Sequence, residues 1–354
     1  MSKKYNSKKN MILGNYLKTD FDNHKKETRR YCNTDNEWRE NYDQKKDIEK
    51  NKDLLKYSFE GNRKMVSIAL ANGADLAFVD QNGNNCLILA VYSGHFEVVE
   101  QIVEFAKKNN KDLDLNYRNN DLISAMHLAV KLNNGKMVKY LSSNGADVNI
   151  VGKYRKTPIF EAVENNNDEM IDLLLNLETP ADINFQNREG QTPLIVASQN
   201  KTRQESFLRL LSNGADMYKT DNQGKTPLMH SCNNNNSTYI DILLKKGNIN
   251  LLVNVQDNNG ASPIMYVAKR GNREALRVLI SRGGNIDFAD KFGRTAIDYA
   301  KLGENPTCVE ILEKTKKIYE KASEIEDVAQ KNKFLKQNLS VFAKQNRVEN
   351  SCVK

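Results

Sequence analysis

Asp221-Asn222-Gln223-Gly224-Lys225-Thr226-Pro227-Leu228 is the stretch whose reading decides the fold. The first four residues form a tight-turn signature in which Gly supplies a backbone angle that other residues avoid. Thr226 suits an N-cap, its hydroxyl accepting one of the orphan amide protons at a helix start. Pro227 suits the first helical position, where its missing N–H costs nothing. Leu228 then opens a short apolar helix that the polar run Asn233 to Asn236 ends. A second helix follows, with Tyr239, Ile242, Leu243 and Leu244 at helical spacing, and Gly247 stops it. The unit therefore reads as turn, helix, turn, helix.

The same unit recurs along the chain. Clear copies start at Thr157-Pro158-Ile159, Thr192-Pro193-Leu194 and Ser262-Pro263-Ile264, and weaker ones at Asn85-Cys86-Leu87, Ser124-Ala125-Met126 and Thr295-Ala296-Ile297. Successive starts lie 39, 33, 35, 34, 36 and 33 residues apart. A period near 34 is the mark of a stacked helical solenoid. Second helices end at Asn72-Gly73-Ala74-Asp75, Asn144-Gly145-Ala146-Asp147 and Asn213-Gly214-Ala215-Asp216. One such pair of helices has too little apolar area to stand alone, so neighbours must stack. Ala90, Ala129, Ala162, Ala197 and Ala268 are small enough to let the first helices approach closely.

At these residues the chain resembles the ankyrin-repeat family, whose pattern runs Asp-x-x-Gly-x-Thr-Pro-Leu-His-x-Ala, then Gly-His, then Gly-Ala-Asp-x-Asn. Asp80, Gly83, Ala90 and Gly94-His95 match it, as do His127, Ala129 and Gly145-Ala146-Asp147-Val148-Asn149. The resemblance implies an all-α solenoid of about eight helix-turn-helix units with short β-hairpin turns, degenerate end caps and a C-terminal helix. It also implies that His127 and His95 are structural, and that partners are held by the hairpin tips and the exposed side of the first helices. Two departures stand out. Leu122 and Arg155 occupy the places of the turn Gly, so those two hairpins are expected to be distorted. The interval from 85 to 124 is also long, and the extra residues are expected near Lys107 to Leu115.

The chain divides into a polar arm at 1–46, the repeats at 47–312 and a basic helix and tail at 313–354. Residues 1–50 hold 13 Lys/Arg against 9 Asp/Glu, 313–354 hold 10 against 6, and 51–312 hold 30 of each. The net charge of +8 therefore belongs to the flanks, and a nucleic-acid partner is an alternative that rests on them alone. The arm's composition predicts little fixed structure beyond a short helix at Thr34-x-x-Glu37, followed by Trp38 and Tyr42. At 307–345 a long helical stretch spaces Ile311, Ile318 and Ile325 seven apart, which suits a cover for the open end of the solenoid. Self-association through this seam stays open.

Chemistry is sparse in the pattern. Five cysteines without paired spacing exclude a disulfide framework and a CxxC metal site. Cys86 and Cys232 read as small core residues. There is no secretory signal, lipidation motif or apolar run long enough to span a bilayer, so the expected location is intracellular, cytoplasmic or nuclear, without a membrane. No nucleophile elbow, phosphate loop or zinc-protease motif is present, and Arg282-Gly283-Gly284 reads as a helix C-cap. The expectation is a non-enzymatic scaffold, with no cofactor or metal, that holds a protein partner on its concave face. The Asn- and Lys-rich composition is also compatible with a host-directed effector. The residues singled out for contact are Tyr92, Ser93, Lys153, Tyr154, Arg188, Glu189, Lys269, Arg270, Lys291 and Phe292, being aromatic or charged at tips and first-helix ends.

Overall fold

The computed structural model describes the backbone of residues 35–349 and the side chains of 46–339. Eight helical hairpins follow one another among the described residues. Their first helices are α1 (Asp35–Glu60), α3 (Cys86–Ser93), α5 (Ala125–Lys131), α7 (Pro158–Glu164), α9 (Pro193–Ser198), α11 (Pro227–Asn233), α14 (Pro263–Arg270) and α16 (Ala296–Leu302). Their second helices are α2 (Arg63–Ala71), α4 (Phe96–Lys108), α6 (Gly135–Ser143), α8 (Asp168–Leu175), α10 (Gln204–Ser212), α12 (Ser237–Lys246), α15 (Arg273–Ser281) and α17 (Pro306–Ser323). A single turn, α13 (Ile249–Leu252), follows α12, and α18 (Val328–Glu349) closes the array.

The two helix rows differ because their sequences differ. The internal first helices are apolar almost all round; Cys86 to Val91 and Pro193 to Ser198 are buried throughout. Second helices carry one apolar stripe, as in α10, where Phe207, Leu210 and Leu211 are buried and Arg209 is not. Ala90, Ala129, Ala162, Ala197 and Ala268 are all at most 1% exposed. That lack of bulk lets neighbouring first helices pack more closely than neighbouring second helices, and the stack curves toward the first-helix side.

Asparagine builds the joints. Between first and second helices of seven hairpins a residue in the left-handed region reverses the chain: Gly (Gly61, Gly94, Gly271), Asn (Asn133, Asn166, Asn235) or, in the last, Glu304. Asn tolerates that region better than other side chains. In five of these hairpins the next residue is an Asn that caps through its side chain: Asn62, Asn134, Asn167, Asn236 and Asn272 each accept the amide proton three residues on, while His95 follows Gly94 without a side-chain cap bond. A further set ties unit to unit. The side-chain carbonyls of Asn116, Asn149, Asn184 and Asn254 accept from the backbone N–H of Asp147, Asp182, Asp216 and Asn285 at 2.7–2.8 Å, and Asn51 does the same for Asp75 within the first hairpin.

The turns before the first helices project as fingers. None forms a strand among the described residues, and pairing is limited to an isolated antiparallel bridge, Arg118 with Ser124. Each finger closes with two backbone bonds, as from Asp221 N–H to the Lys225 carbonyl (3.1 Å) and from Gly224 N–H to the Asp221 carbonyl (2.9 Å). Successive fingers also link, Arg188 N–H to Tyr154 O, Asn222 to Glu189, Asn258 to Gln223 and Lys291 to Asn259, all at 2.8–3.0 Å.

The expected distortion of two fingers takes two different forms. Leu122 adopts φ +60°, the same left-handed backbone as the glycines it replaces, and its finger closes normally through Asn119 N–H to Ile123 O at 3.0 Å. The geometry survives, so the cost appears as backbone strain. In the next finger Tyr154 and Arg155 are both left-handed, at φ +57° and +58°, and the loop tightens into one 3-10 turn, Lys153–Arg155. The long interval after 85 is placed as the spacing suggested, since α4 has 13 residues against 8–10 in the other second helices of the internal units.

Both ends of the described array are helical. α1 has 26 residues and runs without a break across position 46 into the first hairpin, where Leu54 and Leu55 are buried. Thr34 lies outside the described residues. At the other end the stretch 307–345 is two helices rather than one. Asp327 Oδ1 accepts the Gln330 amide and caps a new start, so α18 folds back on α15 and α17. Of the seam, Ile311 is buried and Ile318 half-buried, while Ile325 falls in the connection.

Leu122→Gly should raise stability by roughly 0.5–1 kcal/mol. It releases left-handed strain of about 1–2 kcal/mol against the usual glycine entropy cost, and Leu122 loses little burial, being 45% exposed. A higher urea midpoint with unchanged slope is the expected reading.

Candidate protein-docking face

Fingers and first helices together line the inner side of the stack. Residues nine positions after each finger start lie on its floor: Leu89, Leu128, Glu161 and Val196, then His230, Tyr266 and Tyr299. The floor thus changes character along its length. In the first half Leu89 and Leu128 are buried. At the middle Glu161 is half-buried, and burial pushes its carboxyl above the usual range against the pull of nearby Lys131. Lys156 pairs with Glu164 beside it.

The last three fingers carry a ladder that sequence reasoning missed. His230 Nε2 meets Asp221 Oδ2 at 2.8 Å, the Tyr266 hydroxyl donates to Asp257, and the Tyr299 hydroxyl donates to Asp290 at 2.9 Å. The signal was present as Asp followed by His or Tyr at the ninth position, three times in succession. Each carboxylate also accepts two finger amides, as Asp290 does from Phe292 and Arg294, so one Asp shapes its finger and pins a floor side chain. Burial pushes the Asp290 carboxyl up, but bonds from the Arg294 side chain and the finger amides overcome it and hold it at about 2. Asp221 is likewise lowered, burial being outweighed by His230 and the Lys225 amide. Burial and the Asp290 bond push the Tyr299 phenol up to about 12.

The singled-out residues fall into three places. Tyr92 is half-buried and stacks on Phe59 with ring centroids 6.4 Å apart, and the Ser93 hydroxyl is buried beside it. Lys153, Tyr154, Arg188 and Glu189 come together where the Arg188 amide bonds Tyr154; Tyr154 is 53% exposed. Lys269, Arg270, Lys291 and Phe292 lie on the C-terminal portion and are exposed. There Arg270 Nη2 donates to Asn233 Oδ1 at 3.1 Å, and Phe292, 72% exposed, lies under the Arg294 guanidinium at 4.7 Å.

Among the described residues, the remaining histidines and the thiols of Cys86 and Cys232 are structural. His127 Nδ1 meets Ser124 Oγ at 2.9 Å and its Nε2 reaches Lys156 O of the next unit at 3.3 Å; burial lowers its pKa. His95 Nε2 meets Phe59 O of the preceding unit at 3.1 Å. Burial pushes the Cys86 thiol up to about 12 and raises that of Cys232 as well, so neither is a ready nucleophile. Among the described residues no group of His, Cys, Asp and Glu is arranged to hold a metal, and no helix is long and apolar enough to cross a membrane.

Repeated hairpins, linked fingers and a shared inner face define a helical-repeat solenoid. The family model for ankyrin repeats matches residues 54–152, 126–221, 159–253 and 249–322, and the chain belongs to that family. It is similar to the B-cell lymphoma 3 protein homolog of Mus musculus, 33% identical over 184 residues that cover 50% of this chain and 40% of the relative. It is also similar to an L-asparaginase of Dirofilaria immitis, 29% identical over 171 residues covering 48% of this chain and 28% of that protein. The chain thus spans less than half the length of these curated relatives. Among solved structures, the ankyrin repeat domain of Bcl-3, titled a member of the IkappaB protein family, superposes with TM-score 0.57 at 26% identity, covering 66% of this chain and 100% of that one.

Asp290 and Asp221 have folded pKa values depressed below the ordinary 3.8. Their stabilisation is fully present above about pH 4 and is lost as pH falls through the folded values, about 2 for Asp290. Asp290→Asn should flatten the acid limb of a stability-versus-pH curve between pH 4 and 2. It should also cost about 1–3 kcal/mol at pH 7, measured by urea unfolding.

Proposed function

We propose that this chain is a non-catalytic scaffold that captures a protein partner across its finger tips and first-helix ends. The observation that carries the reading is the linked row of fingers presenting large exposed aromatic rings, Tyr154 at 53% and Phe292 at 72% exposure. Both are tip residues with no role in covering the core, and rings of this kind supply much of the energy of protein interfaces. The intracellular setting suits three buried free thiols. Likeness to Bcl-3, titled as an IkappaB family member, supports a regulatory adaptor that works by binding.

The scaffold reading also fits the titratable groups. The ladder acids bond His, Tyr, Arg and finger amides, so they serve geometry. The L-asparaginase relative is matched over 28% of its length, and its activity is not carried to this chain.

Tyr154→Ala with Phe292→Ala should weaken a partner captured from native extract by at least about tenfold while thermal unfolding stays within a few degrees. Lys139→Glu, on the second-helix row, should leave capture unchanged. Equal retention by the double variant would contradict the reading.

A further inference from the structure

We propose that the C-terminal three units form a docking surface for an acidic, extended peptide segment of a protein partner. This deepens the scaffold reading and rests on it. The repeat body is electrically neutral as a whole, with 30 Lys/Arg and 30 Asp/Glu over 51–312, yet its last fingers and first-helix ends are not. They present Lys225, Lys269, Arg270, Lys291, Arg294 and Lys301 against two exposed acids, Asp298 and Glu304. The three acids at the starts of these fingers, Asp221, Asp257 and Asp290, are each at most 8% exposed and are committed to the ladder. Asp298 is also occupied, accepting from the Thr295 amide and hydroxyl at 2.8 Å.

Burial of the three ladder acids leaves most of the cations facing outward, Lys225 being half-buried. Arg294 is a second exception, anchored to Asp290 at 2.7 Å with its plane over Phe292 and Tyr299. Lys225, Lys269, Lys291 and Lys301 form no ion pair among the described residues, and Lys225 lies 5.4 Å from the Tyr266 ring centroid. The fingers are joined by the Asn258 and Lys291 backbone bonds at 2.9 and 2.8 Å, so the cations run along one continuous strip. Phe292 adds an apolar anchor within it. A peptide with carboxylates spaced along its length and one apolar side chain complements such a strip. Four unpaired lysines fall short of the roughly six to ten phosphate contacts that give nucleic-acid binders their affinity, which favours a peptide.

The test is selection of a random 12-residue peptide library displayed on phage against the full chain, with a Lys269→Glu/Lys291→Glu variant in parallel. The surface predicts recovered peptides rich in Asp and Glu that bind the variant at least about tenfold more weakly in fluorescence anisotropy. Raised salt should weaken them too. Recovery of neutral or basic peptides, of no peptides, or of acidic peptides indifferent to the variant would overturn the proposal. So would tighter binding of a 20-nucleotide single strand than of any selected peptide. Because Tyr154→Ala/Phe292→Ala capture is read separately, a lost acidic preference with capture intact removes this proposal and leaves the scaffold.

Discussion

Most joints of this chain depend on one hydrogen bond type, an asparagine side-chain carbonyl accepting a backbone amide. A solenoid has no closed core, so each unit exposes polar backbone at its junction with the next, and such groups must be satisfied when covered. Asn116, Asn149, Asn184 and Asn254 do this between units, and Asn51 and the N-cap asparagines do it within them. Amide geometry fixes the distance and tilt of each hairpin against the last. The apolar first helices supply most of the burial, but the joints set the register in which they bury, and so align the fingers.

Much of the fold was legible because its devices are local. Thr226 and Thr192 cap as read, accepting from Met229 and Ile195, and the left-handed Asn166 and Asn235 sit within the asparagine runs. What sequence could not supply was cost against shape. Leu122 breaks a rule at the level of residue type, yet its finger closes, because the flanking bonds outweigh the strain. The C-terminal stretch misled for another reason. Its heptad spacing persists through Ile325, but Asp327 caps a second helix, and a seam pattern carries no information about where a cap interrupts it.

The inner face was legible by position and less so by chemistry. Tip residues such as Tyr154, Lys291 and Phe292 are exposed because a finger has no layer above it. Tyr92, judged by the same rule, is drawn onto Phe59; whether a first-helix end meets solvent depends on its neighbour unit. The Asp ladder spans nine residues and shares one carboxylate between finger and floor, a pairing that helical or turn periodicity does not reveal. Its effect is a sorting of charge: the three ladder acids turn inward to hold shape, and most of the neighbouring cations remain at the surface.

Alignment of the joints, exposure of the tips and burial of the acids all place the working surface on fingers and first helices. Amide hydrogen exchange of the full chain with and without its captured partner tests this most directly. The account predicts added protection at 152–156, 187–191, 221–225, 257–261 and 290–294, with α10, α12 and α15 unchanged. Protection confined to those second helices or to the flanking segments would contradict it.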